Sequence, residues 1–478
     1  MYRVVLSRLI GAEGLGLYQI AFSLFGLFAT IGAGGIPITV SRMITKAKAE
    51  GNPRAEKETV GAGLLLCLFL SLPIAFFFGF FGKKANFLFA DERCFSIFRI
   101  LLFGLIFSSV YAVIRGSFWG NKEFLIPSIL EVAEEGAMVI IGIMLLQNVS
   151  SPADGAQKAA WAVSLSCMLA CGAAVLCFFF QGGGISRPKK RLKPLFNATL
   201  PITSVRAATS LVSSAIAVLL PAMLVKSGVD ETQALKLFGI VSGMVIPVLF
   251  MPATFIGSLA LVLVPELSEA YYRKHYERLR KNILRGLKFA VFVACALIPI
   301  LYSVGGDIGM LAFSNETAGR MIQKSCLFVL PMSLTIISTS ILNSLGFEKQ
   351  TFLFYFLGAG VLLLCVLILP PYCGGYAYLW GLGLSQLVCA ACNLVFLWKK
   401  RLLFAKGRGQ VWVEQFLPLL FLPLPLCILG RFFAVKCKRF FGEPLATLVT
   451  AALLLFLLVL FQLMRKFLSR RKEKATAR

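Results

Sequence analysis

Three glutamates and a few arginines occupy stretches where charged side chains are costly. Glu131, Glu134 and Glu135 fall at i, i+3 and i+4 within the apolar stretch 124–146, so on a helix they share one face. At 1.5 Å per residue they lie roughly 10–16 Å in from Phe124. Arg206 lies well inside a second apolar stretch, 196–225, in the run Leu200-Pro201-Ile202-Thr203-Ser204-Val205-Arg206. Arg8 and Glu13 lie just ahead of a third stretch, 17–40, and Arg99 sits within 95–114. A charge at mid-bilayer costs roughly 2.5–3.5 kcal/mol on insertion scales, so each one requires a partner, a water-filled cavity or a task. Guanidinium forks bind phosphate oxygens in pairs, which an ammonium does less well. A pocket for organic cations would instead be acidic and aromatic. Two structural alternatives stand beside the functional ones. The span could begin after Glu135, leaving the acids at the interface, and Arg206 could simply pair with one of the glutamates.

The elements that must position these residues are membrane helices. The chain has 478 residues, 58% of them hydrophobic, and a mean hydropathy of +0.83, which excludes an ordinary soluble domain. Net charge is +26, but the Lys and Arg sit in short tracts between apolar stretches. That is the pattern read by membrane orientation and anionic lipid, and it argues against nucleic acid. The thirteen cysteines are scattered through apolar segments and read as small hydrophobes. Cys389 and Cys392 match C-x-x-C, yet they lie inside an apolar span. His275 is the single histidine, so no Cys/His cluster has zinc spacing. No P-loop or hydrolase elbow is present. No cofactor or metal is expected, and ATP-driven transport by this chain alone is not.

Thirteen complete apolar spans run from 17–40 to 445–464. A charged start followed by an apolar run can be a signal peptide, but no small-x-small cleavage site follows and the apolar spans keep coming. Alternate loops are basic. Arg42, Lys46, Lys48, Arg54 and Lys57 follow the first span, Arg115 and Lys122 a later one, and Arg187 to Lys193 and Arg273 to Lys288 later ones still. These loops and the basic tail from Arg465 belong in the cytoplasm. One loop disagrees, because Arg431, Lys436, Lys438 and Arg439 fall on the other side. Two halves are weakly similar: Gly35-Ile36-Pro37 with Ser41 in the first, Leu263-Val264-Pro265 with Ser268 in the second. Parallel repeats of this kind place a transporter's site between lobes near the midplane.

The ordered string Arg8-Leu9-Ile10-Gly11-Ala12-Glu13-Gly14-Leu15-Gly16-Leu17-Tyr18, followed by Gly35-Ile36-Pro37, resembles the polysaccharide-flippase, stage V sporulation protein B-like branch of the multidrug/oligosaccharidyl-lipid/polysaccharide exporter superfamily. It is more distantly similar to the lipid II flippases. The stretch from Leu200 to Ser268 carries the same likeness. The resemblance implies an all-α polytopic protein of about fourteen helices, two six-helix lobes plus two C-terminal helices, with most of the first helix missing here. The expected domains are an N-terminal lobe at 1–181, a basic cytoplasmic linker at 182–195, a C-terminal lobe at 196–400, and two further helices with a basic tail at 401–478. It also implies that Arg3 and Arg8 correspond to cavity arginines and that Pro127 and Glu135 match a family Pro and Glu. Two departures stand out. The Gln beside that Glu and the Arg after it are absent, and Ala215-Ile216-Ala217-Val218 replaces an acid that relatives often carry at mid-helix.

The expectation is therefore a non-enzymatic, alternating-access flippase of the bacterial cytoplasmic membrane with its C-terminus in the cytoplasm. It would translocate a polyprenyl-pyrophosphate-linked saccharide or peptidoglycan precursor, in spore-cortex or cell-wall assembly, with Arg3, Arg8, Arg206, Glu131, Glu134 and Glu135 binding substrate. Its partners would be the lipid-linked glycan, anionic membrane lipid and a coupling ion, with no nucleic acid. The alternatives are an ion-coupled drug or organic-cation antiporter of the same fold, a glycan polymerase or ligase (which would need a larger outer loop), and a non-transporting scaffold.

Overall fold

The computed structural model describes residues 2–80, 89, 91–188, 190–403, 416–440 and 442–476, and at 260–262, 265, 440 and 462–476 the backbone alone. The regular elements are helices, with no strand among the described residues. In order they are α1 (Tyr2–Leu9), α2 (Gly11–Ala33), α3 (Ile36–Ala49), α4 (Pro53–Phe80), α5 (Glu92–Gly120), α6 (Leu125–Leu145), α7 (Pro152–Phe180), α8 (Leu192–Lys226) and α9 (Glu231–Gly239). A π-turn, Ile240–Val245, leads to α10 (Ile246–Leu249) and α11 (Met251–Tyr272). Then come α12 (Tyr276–Phe313), α13 (Glu316–Ser325), α14 (Val329–Ser344), α15 (Glu348–Ile368), α16 (Pro370–Cys373), α17 (Tyr376–Lys399), α18 (Pro423–Phe440) and α19 (Glu443–Thr476).

Twelve stretches among the described residues are helical, long and apolar enough to cross a bilayer, and the chain is an all-α polytopic membrane protein. The thirteenth expected span is α6, which is a helix of 21 residues but carries Glu131, Glu134 and Glu135 together. Those three charges, not its length, remove it from the apolar set. It begins at Leu125, so the acids are two to three turns inside a helix.

The chain divides into two compact units, Met1–Gly243 and Met244–Arg478. In the first, Ile36, Val40, Ile44, Val60, Leu66, Ile114 and Phe118 build an apolar core between α3, α4 and α5. The signature glycines of the first repeat allow backbones to touch. A Cβ on Gly16 would lie 2.2 Å from the Leu235 carbonyl oxygen of α9, and one on Gly14 would lie 2.9 Å from the Pro152 oxygen of α7. Small residues of this kind let membrane helices approach closely. Gly11 takes φ 69°, a left-handed value that costs glycine little, and so lets α1 turn into α2. In the second unit, Leu263, Leu267, Ile283, Leu287, Ile337 and Ile341 form the corresponding core.

Three expectations require correction. Arg115 is not a loop residue, because α5 continues to Gly120. Arg431, Lys436, Lys438 and Arg439 do not form a loop either. They lie on α18, where Arg431 stacks 5.8 Å from the Tyr302 ring centroid, Lys436 sits 4.7 Å from that of Phe432, and Lys438 pairs with Asp307. Leu263-Val264-Pro265, the counterpart of Gly35-Ile36-Pro37 in the second half, does not close a span, because α11 runs unbroken through it to Tyr272. A break falls at Phe250, between α10 and α11, with Pro252 in the first turn of the new helix.

Candidate functional site

In the first unit the long apolar stretch Gly11–Ala49 is interrupted at Gly34-Gly35. Pro37, in the first turn of α3, has no N–H and a fixed φ suited to starting a new helix. A broken helix inside a membrane must have its freed backbone groups satisfied, and here α8 does so. The Gly35 N–H donates to Thr203 Oγ1 at 3.1 Å, and Arg206 Nη1 donates to the Gly34 carbonyl at 2.9 Å. One turn further along α8, Ser210 Oγ lies 3.1 Å from Thr30 Oγ1, and Ser214 Oγ donates to the Ser23 carbonyl at 2.8 Å. Residues 203, 206, 210 and 214 recur at helical spacing, so a single polar face of α8 is pinned along α2.

Arg206 therefore pairs with a backbone carbonyl and not with a glutamate. Its side chain is exposed, and the Gly34 bond uses one of five N–H donors. At 1.5 Å per residue it lies about 20 Å from the start of α8.

The three glutamates share one face of α6, each with different surroundings. Glu131 Oε1 accepts from Arg115 Nη1 at 2.9 Å. The Arg115 guanidinium lies 5.7 Å from the Tyr111 ring centroid and 5.2 Å from that of Trp119, which screens the cation from lipid and adds cation–π attraction. Glu134 is half-buried beside the Cys167 thiol of α7. Glu135 is exposed; it and Arg3 both lie within electrostatic reach of the buried Tyr18 ring hydroxyl. Neither Glu134 nor Glu135 makes an ion pair among the described residues.

Arg3 and Arg8 are exposed on α1. That short helix is anchored by Tyr2, whose hydroxyl donates to the Ala159 carbonyl at 2.9 Å, while its ring stands where a Cβ on Gly142 would go. Glu13 is not part of this face. Arg93 holds it at 3.0 Å while gripping Asp91 at 2.7 Å. Arg99 is exposed on α5.

The arrangement thus brings together Glu131, Glu134 and Glu135 on α6, with Arg115 on Glu131 and Arg3 near the Glu135 end, and sets Arg206 apart at the break. Arg115 is the residue sequence reasoning missed as a site candidate. Its signal was Tyr111, Arg115 and Trp119 at i, i+4 and i+8, an aromatic–cation–aromatic stripe on one helix face.

Residues 1–271 match the family described as "Polysaccharide biosynthesis protein". Stage V sporulation protein B of Bacillus subtilis (strain 168) is 24% identical over 345 residues, 69% of this chain and 66% of that protein, so the match spans just under two thirds of that relative's length. Lipid II flippase MurJ of the same organism is 21% identical over 403 residues, 77% of this chain and 73% of that protein. Among solved structures, an inward closed lipid II flippase MurJ aligns with a TM-score of 0.74 at 13% identity, covering 98% of this chain and 96% of that one. An inward-facing multidrug resistance transporter of the MATE family gives 0.71 at 16% identity, covering 84% and 94%. At such identities the likeness establishes the fold. With residues 1–271 of its 478 matched, the chain belongs to the polysaccharide biosynthesis protein family.

Proposed function

We propose that this protein is an alternating-access flippase of the bacterial cytoplasmic membrane, turning over a polyprenyl-pyrophosphate-linked saccharide or peptidoglycan precursor without covalent change. The observation that carries the reading is the exposed guanidinium of Arg206, fixed at the break of a membrane helix by one hydrogen bond with the rest of its fork free in valence for phosphate oxygens. Arg3 and Arg8, exposed on α1 of the same unit, add two further cations. Two lobes, 1–181 and 196–400, joined by the 182–195 linker and followed by two helices, complete the proposed architecture. The basic linker and the C-terminus face the cytoplasm. The relatives' names support a role in spore-cortex or cell-wall assembly, with anionic lipid and a coupling ion as partners.

The test is protection of a lipid-linked precursor from an outside enzyme, read beside the amount of protein in the membrane. Arg206→Lys keeps the charge and loses the planar fork, so it is expected to insert normally and to flip at least tenfold more slowly. Arg206→Ala is expected to be slower still. Normal flipping by Arg206→Ala removes the pyrophosphate role of this residue.

One observation favours the antiporter reading, the presence of Glu134 and Glu135 on a membrane helix without an ion-pair partner among the described residues. Extrusion of an organic cation that depends on Glu131 or Glu135, with Arg8 and Arg206 dispensable, would replace the flippase.

A further inference from the structure

A cavity of about 380 Å³ opens among helix ends of the first unit. α3 finishes there at Ala49, α4 begins at Pro53, α5 finishes at Gly120 and α7 at Phe180. The ends of four helices at one level mark the headgroup layer of a membrane protein. Four charged residues line the cavity: Lys48, Glu56, Lys57 and Glu123. Among the described residues none of them makes an ion pair, although their immediate neighbours do, Lys46 with Glu50 at 3.8 Å and Arg54 with Glu58 at 3.3 Å. The cavity is therefore net neutral, with two cations and two carboxylates left without ion pairs, inside a chain that is strongly basic.

Two acceptors there lack donors, one of them on Glu123 itself. Asn121 Oδ1 and Glu123 Oε2 are closed off from solvent and have no hydrogen-bond partner. A buried acceptor left in that state is costly, more so when it carries charge. What the cavity lacks is a donor-rich cation for its acceptors and an anion for its two ammonium groups.

The start of the linker packs against Lys57. Gly182 takes φ 78°, and the outer carbons of the Lys57 side chain lie directly against Gly184. The Ser186 N–H donates to the Lys57 carbonyl at 3.2 Å, and the Ser186 oxygen fits against Gly61, where a Cβ would stand 2.1 Å away. The start of the linker is thereby fastened to α4.

We propose that this cavity binds the headgroup of an aminophospholipid, the phosphate on Lys48 and Lys57 and the primary ammonium on Glu123 and Asn121. Phosphoethanolamine is the chemistry that satisfies both halves at once, because a primary ammonium supplies three N–H donors and a phosphate accepts from lysine. A lipid, not a free metabolite, is favoured by the flanks. Leu125 is 72% and Phe180 88% exposed, and each adjoins a cavity residue or its neighbour, apolar surface suited to acyl chains. The proposal does not depend on the flippase reading.

The test uses the purified full-length protein in detergent, with retained lipid read by native mass spectrometry and melting temperature read beside it. Phosphatidylethanolamine is expected to be retained about tenfold better than phosphatidylcholine, whose ammonium has no N–H, or phosphatidylglycerol, which has no ammonium. Glu123→Gln is expected to abolish the preference over phosphatidylglycerol, and Lys57→Gln to weaken both lipids. Equal retention of the three lipids, or an unchanged preference in Glu123→Gln, overturns the site. Displacement of the lipid by free phosphoethanolamine at equal concentration overturns the lipid as its source.

Discussion

Among the breaks in long apolar helices, a first at Gly34-Gly35 and a second at Phe250 are held in different ways. At Gly34-Gly35 both freed backbone groups are taken by side chains of another helix, Thr203 and Arg206 of α8. At Phe250 the backbone closes on itself. The Phe250 N–H donates to the Ile246 carbonyl at 3.0 Å, and the Ala253 N–H donates to the Phe250 carbonyl at 2.9 Å. The π-turn just before it, Ile240–Val245, spreads the adjustment over a further turn, and the Ser242 hydroxyl bonds back to its own run at Phe238. No side chain from another helix bonds to the Phe250 break among the described residues. Both breaks put a proline in the first turn of the helix that follows. At the first a neighbouring helix comes close enough to exclude a Cβ at Gly35, while a Cβ at Gly34 would meet Thr30 one turn back in its own helix. A break clamped from outside couples two helices, whereas a break satisfied from within is a local bend.

The largest test of that difference is Gly35→Val. A Cβ at Gly35 would stand 2.7 Å from Thr203 Oγ1 and 2.8 Å from the Thr199 carbonyl oxygen, so α8 would have to move away and release both bonds. The variant is expected to lose most of its folded, extractable protein, or to transport at least tenfold more slowly where it does fold. Phe250→Val, at a half-buried position with no such neighbour, is expected to extract normally. If the two behave alike, the clamp is not what distinguishes the breaks.

A smaller effect is expected from the hydroxyl alone. Thr203→Val keeps the shape and strands the buried Gly35 N–H, which costs about 1–3 kcal/mol. Thr203→Ser keeps the bond and is expected to unfold close to the parent in a denaturant or thermal series. A Thr203→Ser as damaged as Thr203→Val would point to the methyl group, and so to packing instead of the hydrogen bond.

Much of this was legible in the chain, and the failures have physical causes. The first break was readable because Gly35-Ile36-Pro37 concentrates the needed chemistry in consecutive residues. The second was not legible, because Pro247, Pro252 and Pro265 all fall in one apolar stretch, and a sequence does not say which proline opens a helix and which is absorbed within one. The glutamate face followed from spacing alone. The partner of Arg206 did not, since a carbonyl leaves no trace in residue type. Arg115 was assigned to a loop because orientation rules count Lys and Arg near span ends, while aromatic neighbours at four-residue spacing let a helix carry the cation further inward. Lys436 of α18 was misassigned for the same reason, with Phe432 four residues before it. The partners of Arg431 and Lys438, Tyr302 and Asp307, lie on α12, far away in sequence.

The smallest expected effects come from the two prolines, and they bear most directly on the comparison. Replacing proline by alanine at the start of a helix restores an N–H that the first turn does not need, and it alters stability by about 1 kcal/mol or less. The new N–H matters only if the two helical segments can then fuse. At the first break they cannot, because Thr203 and Arg206 still hold the Gly35 N–H and the Gly34 carbonyl in the bent geometry. Pro37→Ala is therefore expected to melt and transport as the parent does. At the second break an N–H at position 252 could bond the Val248 carbonyl and carry the helix through Phe250, with nothing outside the run to oppose it among the described residues. Pro252→Ala is expected to slow transport by about twofold while holding or raising the melting temperature. The two variants should be compared at matched protein level in the same flipping assay. If Pro37→Ala proves the more damaging of the pair, the first bend is set by its proline and the α8 contacts only decorate it.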